Sequence, residues 1–445
     1  MRHAYSKQRR SPFPSKGVRG TRTLETLQSK LYQAAKANRK RRFYTLHDKI
    51  CRMDVLREAR KHVAENKGAL GIDGETIEAI EKRGVDEFLK ELQRELVEES
   101  YRVQRVKRVY IPKPDGGERP LGIPTVKDRV VQQAVRFIIE PIFEADFQEF
   151  SHGYRPNRSA RQASLAVYKW LNYGLTEVIE VDVEGFFDHV NHQHLKTFLM
   201  ERIADGYILK LISEWLRAGV VHLHTVTYPE EGVPQSGVVS PLLANIYLNR
   251  LDEWWSELGM NQRNGYNAQL VRYADDIVVL TERDATIALG ILAELLSQVG
   301  LKLKAEKTGV TNAEEGFDFL SFHFMRRFQK RHGKEVTYFY PSQKAAERFR
   351  NKVRELTKKS IVHLRSVEQV IENLNLLILG WSNYFNHSTA SKTYNSLQRF
   401  LEWKLRKYIA YKHQYRKAST HHTMGGALYR MGLQHLTGRI QYVYL

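Results

Sequence analysis

Three aspartates carry the chemistry that this sequence suggests. Asp275 and Asp276 are adjacent in QLVRYADDIVVLTE (269–282), and Asp182 lies in EVIEVDVEGFF (177–187). Two neighbouring carboxylates repel, and away from water each must pair with a cation or bind a metal. Gln269 to Tyr273 and Ile277 to Leu280 are mostly apolar, so the stretch reads as strand, tight turn, strand. An Asp in a turn is ordinary by itself. Asp182 changes the weighting. Val178, Glu180 and Asp182 alternate with Ile179, Val181 and Val183, which places Asp182 near the end of a strand as well. Three carboxylates converging from adjacent antiparallel strands could hold two divalent ions, the arrangement for in-line phosphoryl transfer. Mg²⁺ suits such a site, with Mn²⁺ as the alternative.

The rest of the chain must bring a polyanion to those residues. Among 445 residues, Lys and Arg number 70 against 50 Asp and Glu, a net charge of +20. That excess points to nucleic acid before membrane. The block Arg39, Lys40, Arg41, Arg42 lies in a helical, cationic stretch from Leu24 to Lys67 and suits phosphate contact. Residues 391–417 hold eight Lys or Arg, among them Lys404, Arg406 and Lys407, and one acid, Glu402. Tyr394, Leu397, Leu401, Leu405 and Tyr408 keep one face of that stretch apolar, so it reads as an amphipathic cationic helix. Cys51 is the one cysteine, which excludes an internal disulfide and a Cys-based zinc site. The start lacks the apolar core of a secretory signal, and no apolar run nears the roughly 18 residues of a membrane span. The expected place is the cytoplasm of a bacterial cell, nucleoid-associated, or an organelle. Secretion and membrane partners are not expected.

Several elements can be placed around the aspartates. RVKRVYIPKPDGGERPLGIP (105–124) reads as a β-hairpin turning at Asp115-Gly116-Gly117, with Lys113 and Arg119 flanking the turn. Two cations on a hairpin make a lid for a triphosphate. Residues 126–143 read as an amphipathic helix, and Ser159 as the cap of another. A Gly-rich turn at 232–237 leads to a long apolar helix from Pro241. A helix over 284–299 follows the Asp-Asp hairpin, and GFDFLSFHF (316–324) alternates as a strand pair. Ile371 to Phe385 is apolar and helical.

In family order, these segments resemble the group II intron-encoded reverse transcriptases, also called maturases. GALGIDGETI (68–77) resembles their extra N-terminal motif and IPKPDGGERPLGIP their fingers hairpin. VDVEGFFDHV resembles the first carboxylate motif, GVPQSGVVSPLLANIYL the template and nucleotide motif, and YADD the catalytic box. GFDFLSFHF resembles the primer-side hairpin. GWSNYF with KTYNSLQRFLEWKLRKY resembles the maturase-specific thumb region. The likeness spans about 68 to 417.

The resemblance implies an α+β, right-hand polymerase: fingers, a palm with an antiparallel sheet, an α-helical thumb and a basic helical C-terminal extension. The expected division is a disordered basic N-terminus (1–23), an N-terminal extension with fingers (24–175), a palm with some finger elements (176–330), a thumb (342–392) and a DNA-binding tail (393–445). Asp182, Asp275 and Asp276 are then catalytic metal ligands, with the Val183 carbonyl beside them. Lys113 and Arg119 meet the triphosphate, and Gln235 lies by the nucleotide and template base. Phe187 is the expected gate against a 2′-hydroxyl, with Phe186 as the competing candidate. Lys307 is a proton donor to pyrophosphate. The implied partners are a group II intron RNA, target DNA with a primer, and dNTPs, with a homodimer left open. The implied function is RNA-directed DNA synthesis for intron mobility, together with help in splicing. The alternatives are a stand-alone reverse transcriptase in defence or repair, and a splicing factor with little polymerase activity. The paired Cys and His of an HNH endonuclease are missing from these residues, so none is expected.

Overall fold

The computed structural model describes residues 12–13, 23–112, 116–223, 225–330, 333–413 and 425–441. The chain is α+β. In order the strands are β1 (Val106–Pro112), β2 (Glu118–Ile123), β3 (Glu177–Val181), β4 (Val220–His222), β5 (Thr225–Thr227), β6 (Gln269–Tyr273), β7 (Asp276–Thr281), β8 (Gly309–Asn312), β9 (Phe317–Phe319), β10 (Phe322–Gln329) and β11 (Lys334–Pro341). They form three sheets, ordered β2-β1-β4-β5, β6-β7-β3-β8 and β11-β10-β9.

The sheet β6-β7-β3-β8 pairs antiparallel throughout and separates two apolar cores. Side chains alternate across a strand, so β3, β6 and β7 each serve both cores. Ile179, Val181, Leu270, Ile277 and Val279 enter one core, with most of the N-terminal helices. Val178, Val271, Val278 and Leu280 enter the other, with β9 to β11 and the C-terminal helices. This is why β6 and β7 carry consecutive apolar residues, Leu270-Val271 and Ile277 to Leu280.

The helix Val126–Glu144 is the axis of the first core. Its repeat predicts one wet face, but the structure buries it on almost every side, polar residues included. Helices Leu24–Ala37 and Met53–Glu65 cover the face that would have been exposed. The buried charged groups survive because each is partnered. Asp128 accepts from Tyr101 Oη, Arg129 donates to Ala69 O at 2.6 Å, and Arg155 Nη2 donates to Glu144 Oε1 at 2.7 Å. Pro141 has no N–H to offer Phe137 O four residues earlier. Gln28 Nε2, from the covering helix, donates to that carbonyl instead at 3.0 Å.

The cationic stretch 24–67 is not one helical run. It breaks into helices Leu24–Ala37, His47–Ile50 and Met53–Glu65, and Arg39 to Arg42 fall in the loop between the first two. Residues 202–205 hold that loop. Arg202 Nη2 donates to Ala35 O and Nη1 to Asn38 O, Phe43 N donates to Arg202 O, and Asp205 accepts from Leu46 N and His47 N. Other boundaries agree with their local signals. Ser159 caps helix Ala160–Asn172, and Pro241 opens helix Ser240–Glu257.

The second core also takes in the basic C-terminal region. Helices Gln343–Leu356, Val367–Phe385 and Ser391–Lys412 share it with Leu428, Leu433 and Leu436. Packing therefore draws no line between residues 392 and 393. His387 sits inside, 2 % exposed, with Nε2 2.9 Å from Ser164 Oγ and its ring against Phe322 and Phe339. Burial first, and the Arg161 charge second, push its pKa down to about 4. Its unfolded pKa is about 6.5. A depressed histidine contributes stability that is whole above pH ~6.5 and is lost as the pH falls toward ~4. The urea midpoint of the wild type should therefore fall further between pH ~7.5 and pH ~5 than that of His387→Gln. Equal falls would clear His387 of the effect.

Candidate active site

β6 and β7 are joined through Ala274-Asp275, with Tyr273 opposite Asp276. The turn needs a positive φ, and Ala274 supplies it at +57°. An L-residue in that region is strained by roughly 1–2 kcal/mol, so something must hold it. The holder is Arg272. Its Nη1 donates to Ala274 O at 3.0 Å and to Asn245 Oδ1 at 3.1 Å, while Nε and Nη2 grip the Asp252 carboxylate. Both charged side chains are 0 % exposed. On the far side, residues 150–154 run along β6. His152 N donates to Arg272 O at 2.8 Å, and Asn245 Nδ2 donates to Gly153 O at 2.7 Å. A Cβ on Gly153 would collide with the backbone nitrogen of Ala274, so the close approach requires glycine.

The register Val181↔Ile277 puts Asp182 beside Asp276, one step further along. Asp182 is fixed through its backbone: its N–H meets Thr308 Oγ1 at 3.3 Å and its carbonyl accepts from Lys304 N at 2.8 Å. Val183 is buried and bridges to Leu303. Lys307 Nζ lies 3.3 Å from Asp182 Oδ2.

The three carboxylates feel one another. Burial, then the charges of Asp275 and Asp182, push the Asp276 pKa up to about 6. Burial is also the main cause of a raised pKa at Asp275, with Asp182 adding to it and Arg119 and Arg272 opposing. Among the described residues, no group of three or more His, Cys, Asp or Glu already stands in a metal-holding arrangement. The donor set nevertheless fits a hard divalent cation. Its ligands are oxygens, and its two strained carboxylates lack enough positive charge to ionise at ease.

Next to Asp182 the two phenylalanines part. Phe186 is core, 2 % exposed. Phe187, half-buried, lines a cavity of ≈ 90 Å³ together with Gln235, Arg108 and Gly122. The turn carrying Gln235 is fixed: Val233 N donates to Phe187 O, Gly122 N to Gln235 O, and Ser240 Oγ to Pro234 O. Arg119 on β2 is exposed, and its charge reaches Asp275 and Tyr154. Lys113 lies outside the described residues. Arg39, Lys40, Arg41 and Arg42 are exposed on their clamped loop. On helix Ser391–Lys412, Lys404 and Lys407 lie over the Trp403 ring, whereas Arg406 pairs with Glu402 at 3.2 Å.

Sequence reasoning passed over Arg272, Asp252, Asn245 and Tyr154. Arg272 left a signal, since a cation inside an apolar strand needs a buried acid. Tyr154 left only a place in a polar loop. In the structure it takes φ +54°, stands 48 % exposed and sits 6.4 Å from the Tyr273 ring. Burial, then the nearby Asp275, raises the pKa of its phenol.

Comparison with known proteins adds two family matches. Residues 111–324 match the family described as reverse transcriptase (RNA-dependent DNA polymerase), and residues 346–424 match the group II intron, maturase-specific domain. Protein YkfC of Escherichia coli (strain K12) is 32% identical over 357 residues, covering 72% of this chain and 93% of that protein. Group II intron-encoded protein LtrA of Lactococcus lactis subsp. cremoris is 36% identical over 221 residues, covering 49% of this chain but 36% of LtrA. An uncharacterized 91 kDa protein in the cob intron of Schizosaccharomyces pombe is 27% identical over 409 residues, 76% of this chain and 50% of that protein.

The buried pair yields a test that separates stability from geometry. Asp252→Ala should cost about 3–5 kcal/mol in urea unfolding, because it strands a buried guanidinium. Replacing both partners, Asp252→Leu with Arg272→Met, should recover much of that loss. The double variant should still copy RNA into DNA about 100-fold more slowly, since Ala274 O has lost its donor and the turn its position. Full activity in a stable double variant would show that the turn holds itself.

Proposed function

Since the chain belongs to the group II intron-encoded reverse transcriptases, with their maturase-specific domain, we propose that Asp182, Asp275 and Asp276 are the centre of its RNA-directed DNA synthesis. The observation that carries this reading is the register that sets Asp182 beside Asp276, where burial first and the neighbouring carboxylates second raise the Asp276 pKa. These carboxylates and the Val183 carbonyl would hold two Mg²⁺ ions, or Mn²⁺ in their place. Bound there, the ions supply Lewis-acid activation of the primer 3′-hydroxyl and neutralise charge on the leaving pyrophosphate.

The protein's own groups do the rest. Arg272 and Asn245 fix the turn, so that its carboxylates need no rearrangement during the reaction. Arg119 and Lys113 meet the triphosphate. Phe187 floors the nucleotide cavity where a 2′-hydroxyl would fall, and Gln235 lies by the base pair. Phe186 serves the core instead. Lys307, already beside Asp182, donates a proton as pyrophosphate leaves. In this reading β6-β7-β3-β8 is the palm sheet, β1 and β2 are the fingers hairpin, and helices Gln343–Leu356 and Val367–Phe385 belong to the thumb. The exposed cations of residues 39–42, with Lys404 and Lys407, take RNA or DNA phosphates. The maturase role asks the protein only to bind and shape its intron RNA.

Primer extension on an RNA template with dNTPs and Mg²⁺ tests the centre. Asp275→Asn should lose about 10³-fold or more of the rate while still binding primer–template. Extension at the wild-type rate would remove Asp275 from the chemistry. Phe187→Ala should raise use of ribonucleotides relative to deoxynucleotides by about 10- to 100-fold, the range that one steric contact affords. An unchanged ratio would place the gate elsewhere.

A further inference from the structure

β1 begins in a crevice of ≈ 560 Å³ that the catalytic centre does not use. Its walls come from segment 102–105, the later part of helix Gly206–Leu216 and the residues around Tyr228. Four cations line it, Arg102, Arg105, Lys210 and Arg217, against one acid, Glu214. All four are exposed. A structural role accounts for part of this set. Arg102 Nη1 donates to Glu99 O and Tyr101 O, Lys210 lies 4.0 Å from Glu214, and Arg217 offsets the negative end of its helix. It does not account for four cations converging on one concavity, nor for the aromatic wall. Tyr228 is 65 % exposed. Its ring lies so close to Gly219 that a Cβ there would sit 3.0 Å from it.

The crevice leads toward the nucleotide cavity. Val106 N donates to Gly219 O at 2.8 Å, and from there β1 runs parallel to β4. Arg108, three residues beyond Arg105, already lines the cavity with Phe187 and Gln235. Three residues of strand span about 10 Å. The two concavities thus adjoin: Gly219 and Tyr228 line the crevice, and the next residues, Val220 and Pro229, line the cavity, where Arg108 stands with the acids Asp188 and Glu231. A concavity with cations and one open ring suits an unpaired strand, whose phosphates track a basic groove while a base stacks on the aromatic. A duplex keeps its bases stacked inside and offers none to Tyr228.

We propose that this crevice is a subsite for the single-stranded RNA template that has not yet been copied, with its phosphates on the cations and one base on Tyr228. The proposal rests on the reverse transcriptase reading of the carboxylate centre. Its test compares two RNA templates on the same DNA primer, one with about two unpaired nucleotides ahead of the primer end and one with about twelve, a span that such grooves cover. Wild type should bind the long overhang about tenfold more tightly. The triple variant Arg105→Gln, Lys210→Gln, Arg217→Gln should lose that advantage, and its salt slope on the long overhang should flatten by about two, the value for three single-strand phosphates. Its binding and extension on the short overhang should match wild type. Tyr228→Ala should cut the same advantage by about five- to tenfold. A triple variant that keeps the difference, or that weakens equally on both templates, overturns the proposal. So does one that loses only a structured intron RNA. Failure of wild type to extend either template would instead count against the catalytic reading, and the binding comparison would still decide the crevice.

Discussion

A guanidinium shut away from water lies directly under the turn that carries Asp275 and Asp276. Arg272 and Asp252 are fully buried, and removing either partner alone leaves a stranded charge. Such pairs are poor sources of stability compared with apolar packing. Their use here is directional. One planar cation reaches Asp252, the Asn245 amide and the Ala274 carbonyl together, and so joins helix Ser240–Glu257 to the tip of the hairpin. The strain at Ala274 and the crowding of three carboxylates both work against that tip. A rigid fork of donors is the kind of group that can oppose them in a fixed geometry.

The same turn is held from its other side by backbone. Residues 150–154 lie so near Ala274 that position 153 has no room for a side chain. Asn245 faces both ways, accepting from Arg272 and donating to Gly153. The turn is thus held by three distant stretches of sequence whose contacts meet at Asn245, and β3 brings Asp182 to it. Lys307 counters Asp182 from the loop before β8.

The legible part of this protein was the part with a period or a motif. The alternation in β3 and the apolar flanks of the Asp-Asp turn were enough to predict neighbouring strands with their acids at one end, and the register agrees. Pattern alone did not separate the two adjacent phenylalanines, and only the family likeness favoured Phe187 as the gate over Phe186. Only the 3₁₀ turn Phe186–Asp188 decides it, sending Phe186 inward and leaving Phe187 on the cavity. The helix Val126–Glu144 misled because periodicity reports which positions can be wet, and neighbouring helices later covered that face. Arg39 to Arg42 seemed helical by composition. The loop there is set by Arg202 and Asp205, about 160 positions away, and no local pattern could show it.

The division of β3, β6 and β7 between two cores bears on how this protein could be cut. Family boundaries would end the polymerase near residue 324 and begin another unit near 346. The packing has no such seam. Val178, Val271, Val278 and Leu280 belong to the same buried cluster as Phe349, Val370, Leu397 and Leu436. A fragment ending after β10 would keep helix Ala160–Asn172 on β6 and β7 but lose β11 and the C-terminal helices from the same cluster, opening apolar surface to water. For this architecture the smallest excisable polymerase therefore includes the C-terminal helices. A splicing module and a copying module that share a core in this way cannot be inherited, lost or exchanged independently without rebuilding that core.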